Sequence, residues 1–176
     1  MFLRTFWLAI LAAIAFAFVV LVNSGSEAAV SSEEKHIIGA TATVIEASSG
    51  IEFLARVDTG AKSCSLHVER IVVKDKEAKR VRNIGKEIRF QVKDADGELH
   101  WIDGVIAGAI RVKSPSLKSG DYDHRYKVKL TLRWEDFSKE VLVSLNSRTD
   151  MEYPLLIGRN FLRGDFLVDV DRENVD

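Results

Sequence analysis

Between Tyr126 and Trp134 the chain alternates without a break. Tyr126, Val128, Leu130, Leu132 and Trp134 are apolar, and Lys127, Lys129, Thr131 and Arg133 lie between them. A period of two places all five apolar side chains on one face of an extended strand, whereas a helix would scatter them around its circumference. Ile88, Phe90 and Val92 repeat the pattern against Arg89, Gln91 and Lys93. Such strands must bury one face against another sheet or close on themselves, which narrows the fold to a β-sandwich or barrel.

The rest of the folded part follows the same rule. Ile37 to Glu46 and Ile51 to Val57 read as a hairpin about the turn Ser48-Ser49-Gly50. A short strand is expected over Val68 to Lys74, then a charged loop to Lys86. Asp94-Ala95-Asp96-Gly97 reads as a hairpin turn between the Ile88 strand and a return over Glu98 to Ile102, continued by Val105 to Val112. Residues 113–125 read as a long polar loop, and 111–126 as a flap over a cleft. Glu140 to Leu145 pairs back on Tyr126–Trp134 across Glu135-Asp136. Residues 146–153 form another polar loop. Pro154-Leu155-Leu156-Ile157-Gly158 is wholly apolar, as in a strand buried on both faces. Arg159 to Arg163 can make a short helix stopped by Gly164, and Phe166 to Val170 is a last strand. The fold class is therefore mainly all-β.

Composition bounds function mostly by exclusion. At 176 residues, 47% hydrophobic and 29% charged, the chain is globular rather than disordered. A net charge of -1 gives no electrostatic footprint for nucleic acid, so none is expected as partner. The single cysteine, Cys64, excludes an intrachain disulfide and a four-cysteine zinc site. The four histidines (His36, His67, His100 and His124) form no HExxH pair. No metal and no cofactor are expected.

The N-terminus reads as targeting. Arg4 precedes an uninterrupted apolar run from Phe6 to Val22, followed by the small, polar stretch Asn23 to Ala29. Ser26-x-Ala28 fits a cleavage site, yet the run is also near the length that spans a bilayer. Residues 1–28 are thus a signal peptide or an N-terminal membrane anchor attached through residues 6–22. A linker follows over 29–36, and the folded domain is expected over 37–176. Either reading exports the domain, to the periplasm or to the periplasmic face of the inner membrane.

Two stretches carry chemistry. Phe53 to Val57 is an apolar strand that delivers Asp58 into the turn Thr59-Gly60-Ala61. Nearly a hundred residues later comes Leu155-Leu156-Ile157-Gly158-Arg159-Asn160. The pair resembles the retroviral-type, or retropepsin-like, aspartic proteases. Asp58 through His67, together with Leu155 to Arg159, Leu162-Arg163-Gly164 and Phe166 to Asp169, is similar to the bacterial retropepsin-like aspartic endopeptidases, once labelled ATP-dependent zinc proteases. The resemblance covers about Ile37 to Asp169.

It implies a retropepsin-like barrel with one short helix near the C-terminus, acting on a peptide or protein as a homodimer. Asp58 is the catalytic residue it implies, supplied once by each subunit. Thr59, Gly60, Ala61, Gly158 and Arg159 are implied as supports, and Lys62, Ser63, His67 and Arg125 as candidate substrate contacts. Two carboxylates sharing one proton can activate a water as base and protonate the leaving amine as acid.

Three departures matter. Lys62 stands where many retroviral enzymes carry an acid, so Arg159 needs another partner among Asp150, Glu152 and Asp169. Cys64 stands where the family more often has Ser. Neither a phosphate-binding loop nor a metal-ligand cluster supports the old label. The alternatives are an inactive binding scaffold on the same barrel and a metal-dependent peptidase. Two lesser readings also arise: Cys64 with His67 as a thiol–imidazole pair against a buried structural thiol, and Asp94-x-Asp96-Gly97 as a calcium loop against a plain turn.

Overall fold

The computed structural model describes residues 34–113, 122–146 and 152–172. The targeting segment, the tip of the expected flap at 114–121, and residues 147–151 with Asp150 lie outside the described residues. Among the described residues no helix is long and apolar enough to cross a membrane.

The strands are β1 (His36–Ile38), β2 (Thr41–Glu46), β3 (Ile51–Val57), β4 (Cys64–His67), β5 (Arg70–Val73) and β6 (Glu87–Lys93). They continue as β7 (Leu99–Lys113), β8 (Tyr122–Trp134), β9 (Phe137–Asn146), β10 (Leu155–Ile157) and β11 (Phe166–Val168). The one α-helix among the described residues, α1, is Arg159–Leu162, and Arg80–Asn83 makes a turn of 3-10 helix. The order β2-β3-β10-β4-β9-β8 closes on itself where Ile45 pairs Arg133 and Glu46 pairs Leu132. This is a closed six-stranded barrel, and closure removes the exposed edges a flat sheet would present. From β8 the sheet runs on through β7, β6 and β5 as an antiparallel extension. β1 and β11 form a separate parallel pair.

The period-two reading explains the core. Along β3 burial alternates strictly, with Ile51, Phe53, Ala55 and Val57 inward and Glu52, Leu54 and Arg56 outward. β8 does the same with Tyr126, Val128, Leu130, Leu132 and Trp134 inward. Phe161 of α1 stacks on Phe166, which meets Trp134 and Phe137 edge-on, so aromatic rings seal one side.

Several expectations need correction. Ile37–Glu46 is two strands, broken after Ile38. Cys64–His67, not among the expected strands, is the strand β4, and the strand expected at Val68–Lys74 is the shorter β5. β4 pairs parallel with β9 and antiparallel with β10, and these tertiary ladders, rather than its four-residue sequence, fix it as a strand with Ser65 buried as well as Cys64 and Leu66. Glu98–Ile102 and Val105–Val112 are one strand carrying an irregularity between Ile106 and Gly108. Tyr122–Arg125, read as loop, belongs to β8, paired with β7 as far as Lys113.

A buried carboxylate fixes the first hairpin. Glu46, 1% exposed, accepts from the Ser48 and Ser49 hydroxyls at 2.7 Å each and from both of their backbone N–H groups. Glu46→Ala leaves four donors without this acceptor and is expected to cost about 2 kcal/mol in urea unfolding. Exposed Thr43→Ala is expected to stay within about 0.5 kcal/mol.

Candidate active site

Asp58 stands where β3 ends. Its N–H donates to Ile157 O at 2.9 Å, continuing the parallel β3–β10 ladder by one residue. The chain then turns, and Asp58 Oδ1 accepts from the Gly60 N–H at 2.8 Å and the Ala61 N–H at 3.1 Å. One carboxylate oxygen is thus fixed by its own loop, while Oδ2 accepts no hydrogen bond among the described residues. A Cβ on Gly60 would lie 3.1 Å from Asp58 Oδ1, so the glycine leaves room for this carboxylate as well as for a ligand. Asp58 is half-buried, and Thr59 and Gly60 are exposed.

The far end of the loop is clasped by the C-terminal motif. Arg159 N–H donates to Ala61 O at 2.9 Å. Gly158 sits against Ser63 so closely that a Cβ would lie 2.6 Å from its carbonyl carbon and 2.8 Å from its oxygen. Both are backbone atoms that cannot swing aside. Asn160 completes the clasp: its Oδ1 accepts from the Cys64 N–H at 2.9 Å and from the thiol at 3.3 Å, and its Nδ2 donates to Leu142 O of β9. Gly158 N–H donates to Cys64 Sγ at 3.4 Å. Three strands and α1 are therefore tied together directly behind the Asp58 loop. Sequence reasoning gave Asn160 and Cys64 no part in this. The readable signal was an amide side chain two residues past the glycine that ends a buried strand.

The remaining sequence-derived residues separate. Asp58 and Thr59 line an open cleft of about 550 Å3 with Arg56, Val57, Glu152, Tyr153 and Leu156. Lys62 and Arg159 line a neighbouring cleft of about 540 Å3 with Lys139, Asn160 and Arg163. Lys139 is engaged there by Asp165 at 2.6 Å. Among the described residues no carboxylate pairs with Arg159: Glu152 lines the Asp58 cleft instead, and Asp169 caps the Asp171 N–H. Ser63 packs under Gly158. His67 faces Glu69, whose carboxyl is held below its ordinary range by the His67 hydrogen bond and then by Lys93. Arg125 pairs with Asp123 at 2.5 Å and lines neither cleft. Arg56 and Tyr153 were not singled out from sequence, because nothing in their spacing marks them, and Leu156 was read only as part of the strand before Gly158.

Cys64 is fully buried, and burial pushes its thiol up to about 11, against which the Gly158 N–H acts only in part. A thiolate nucleophile needs the opposite environment, so the thiol–imidazole reading fails. Among the described residues, the group of side chains able to hold a metal is Asp94, Glu98 and His100, at the β6–β7 turn and not beside Asp58. Asp94 there accepts from the Asp96 and Glu98 N–H groups and from His100 at 2.6 Å, the hydrogen bonding of a plain hairpin turn.

Comparison with known proteins fits this geometry. A family model, RimB-like, described as retropepsin-like aspartic endopeptidase RimB, matches residues 37–176. Among solved structures, the crystal structure of protein Lpg0085, of unknown function (DUF785), from Legionella pneumophila subsp. pneumophila str. Philadelphia 1, is 27% identical. It covers 81% of this chain and 98% of its own, with a TM-score of 0.64. No curated protein matches. The barrel is the retropepsin-like fold.

The Cys64 environment has a measurable consequence. A thiol whose folded-state value lies near 11, against 9.0 when free, stabilises the fold fully below pH 9. That contribution, on the order of 2–3 kcal/mol, is lost as pH rises from 9 towards 11, because the unfolded chain releases its proton first. Urea unfolding of wild type should show this loss above that of Cys64→Ala. Equal slopes in the two proteins would show that the thiol is not held as described.

Proposed function

The chain belongs to the RimB-like family of retropepsin-like aspartic endopeptidases, and from that premise we propose that it hydrolyses peptide bonds with a water held between two Asp58 carboxylates, one from each subunit of a homodimer. The observation that carries this reading is the state of Asp58. Oδ1 is fixed by two backbone N–H groups, Oδ2 is uncommitted among the described residues, and the Thr59-Gly60 tip is exposed. One motif per chain supplies half of a dyad, and a two-fold axis supplies the other half without a second motif.

In the assembled pair two carboxylates at hydrogen-bonding distance cannot both be ionised, so they share one proton. The ionised member takes a proton from the water as it attacks the peptide carbonyl carbon. The protonated member donates to the carbonyl oxygen. The tetrahedral intermediate then collapses with proton transfer to the departing amine. Thr59 of each loop braces its counterpart across the axis. The substrate lies extended in the Asp58 cleft.

Lys62, Arg159 and Arg163 beside the dyad favour acidic side chains on the substrate. Arg125, already paired with Asp123, contributes less. The apolar run of residues 6–22 exports the domain and attaches it to the membrane unless cleaved. The protein then works in the periplasm or at the periplasmic face of the inner membrane.

Asp58→Asn keeps the loop geometry and removes the titrating group. Cleavage of an acidic peptide library should fall by about 10^3-fold or more, with unfolding stability within about 1 kcal/mol of wild type. Wild-type cleavage should persist in a strong chelator. Activity surviving Asp58→Asn contradicts the aspartic mechanism, loss of activity to chelation favours a metallopeptidase, and a wild type that cleaves nothing favours an inactive scaffold.

A further inference from the structure

A third cleft, of about 640 Å3, lies between the stem of the β7–β8 hairpin and the turn that precedes β6. None of its lining residues lines the Asp58 cleft. Its polar wall is Lys79, Arg80, Arg111 and His124, its apolar wall includes Val81 and Ile110, and among the described residues no carboxylate lines it. A volume of this order suits a small molecule rather than a water cluster.

The cations are positioned without being neutralised. The Arg80 guanidinium lies 4.9 Å over the Tyr126 ring, and that of Arg111 lies 4.9 Å over the Tyr122 ring. Tyr122, His124 and Tyr126 alternate along β8 and so share one face. Neither arginine is ion-paired among the described residues. The nearby acids are engaged elsewhere: Glu77 with Lys86 at 3.2 Å and Arg82 at 3.5 Å, and Asp123 with Arg125 at 2.5 Å. The turn itself is rigidly docked. Asn83, fully buried, donates to Tyr126 Oη at 2.9 Å and to Glu77 O at 2.9 Å, and accepts from the Glu77 N–H at 2.8 Å. Arg80 is thus carried on a fixed element, stacked on the tyrosine that Asn83 binds.

We propose that this cleft binds a phosphate monoester carrying an apolar group. Two fixed guanidiniums with Lys79 beside them, and no lining carboxylate among the described residues, are compensated better by a dianion than by a single carboxylate, and guanidinium forks match phosphate oxygens. Val81 and Ile110 would receive the apolar part. The site is independent of catalysis at Asp58.

The test is titration of the full chain, held in non-ionic detergent, with phenyl phosphate, inorganic phosphate and benzoate, followed by calorimetry. Phenyl phosphate should bind saturably, about ten-fold or more tighter than benzoate and tighter than inorganic phosphate. Arg111→Gln and Arg80→Gln should each weaken it about five-fold or more at unchanged melting temperature. Arg133→Gln, on the same strand but outside the cleft, should leave it unchanged. If Arg80→Gln loses its fold, Arg111→Gln alone decides, since Arg111 stacks only on exposed Tyr122. Absence of saturable phenyl phosphate binding, equal affinity for benzoate or inorganic phosphate, or binding indifferent to Arg111 would overturn the assignment.

Discussion

The candidate site depends on the three residues of β10 fitting between two strands that run in opposite directions. β10 pairs parallel with β3 and antiparallel with β4, and its C-terminal end meets the Asp58 loop at both sides, through Ile157 O at Asp58 and Gly158 at Ser63. Leu155 and Ile157 are fully buried there, contributing about 1.5–3 kcal/mol each by removal from water. That burial holds Ile157 O under the Asp58 N–H and presses Gly158 on the Ser63 backbone. A parallel pair cannot be made by a hairpin, so the intervening strands must be in place before the loop is fixed. The carboxylate is therefore rigid because the barrel is closed.

The same geometry is what the proposed division of the chemistry between two chains rests on. The Asp58 loop satisfies one carboxylate oxygen from within and leaves its tip exposed. The cations nearby (Lys62, Arg159 and Arg163) ring the loop and do not bridge to it. Glu152 lines the same cleft, but the chain has one Asp-Thr-Gly motif, and in the proposed dyad a symmetric partner would bring the second with no new sequence. Lys62, where the retroviral pattern carries an acid, leaves Arg159 without a carboxylate partner among the described residues, so the loop here is braced by backbone and by Asn160 instead.

Much of this was legible in the sequence because the relevant forces are local. Alternation along Tyr126–Trp134 and Glu87–Lys93 reports burial directly, and the turns at Ser48-Ser49-Gly50 and Asp94-Gly97 announce their hairpins. The apolar run before Gly158 signalled a strand, but not one buried on both faces: Leu155 and Ile157 are buried, while Leu156 is half-buried and lines the Asp58 cleft. β4 was illegible because Cys64-Ser65-Leu66-His67 owes its extended form to β9 and β10, both distant in sequence. Tyr122–Arg125 was misread for a similar reason: polar residues of a hairpin stem carry no alternation, yet pair with β7. The role of Asn160 needed the fold, since its partners Cys64 and Leu142 lie on two other strands. The Asp58 turn was readable because its hydrogen bonds to Gly60 and Ala61 fall within four consecutive residues.

The claim that one carboxylate comes from each chain is tested most directly by mixing subunits. Wild type and Asp58→Asn would be combined at fixed total concentration, allowed to exchange, and assayed for peptide cleavage. If both carboxylates of a pair are required, activity follows the square of the wild-type fraction, leaving about one quarter at an equal mixture. A linear dependence, with about one half remaining, would show that each chain acts through its own Asp58 and would contradict the shared dyad.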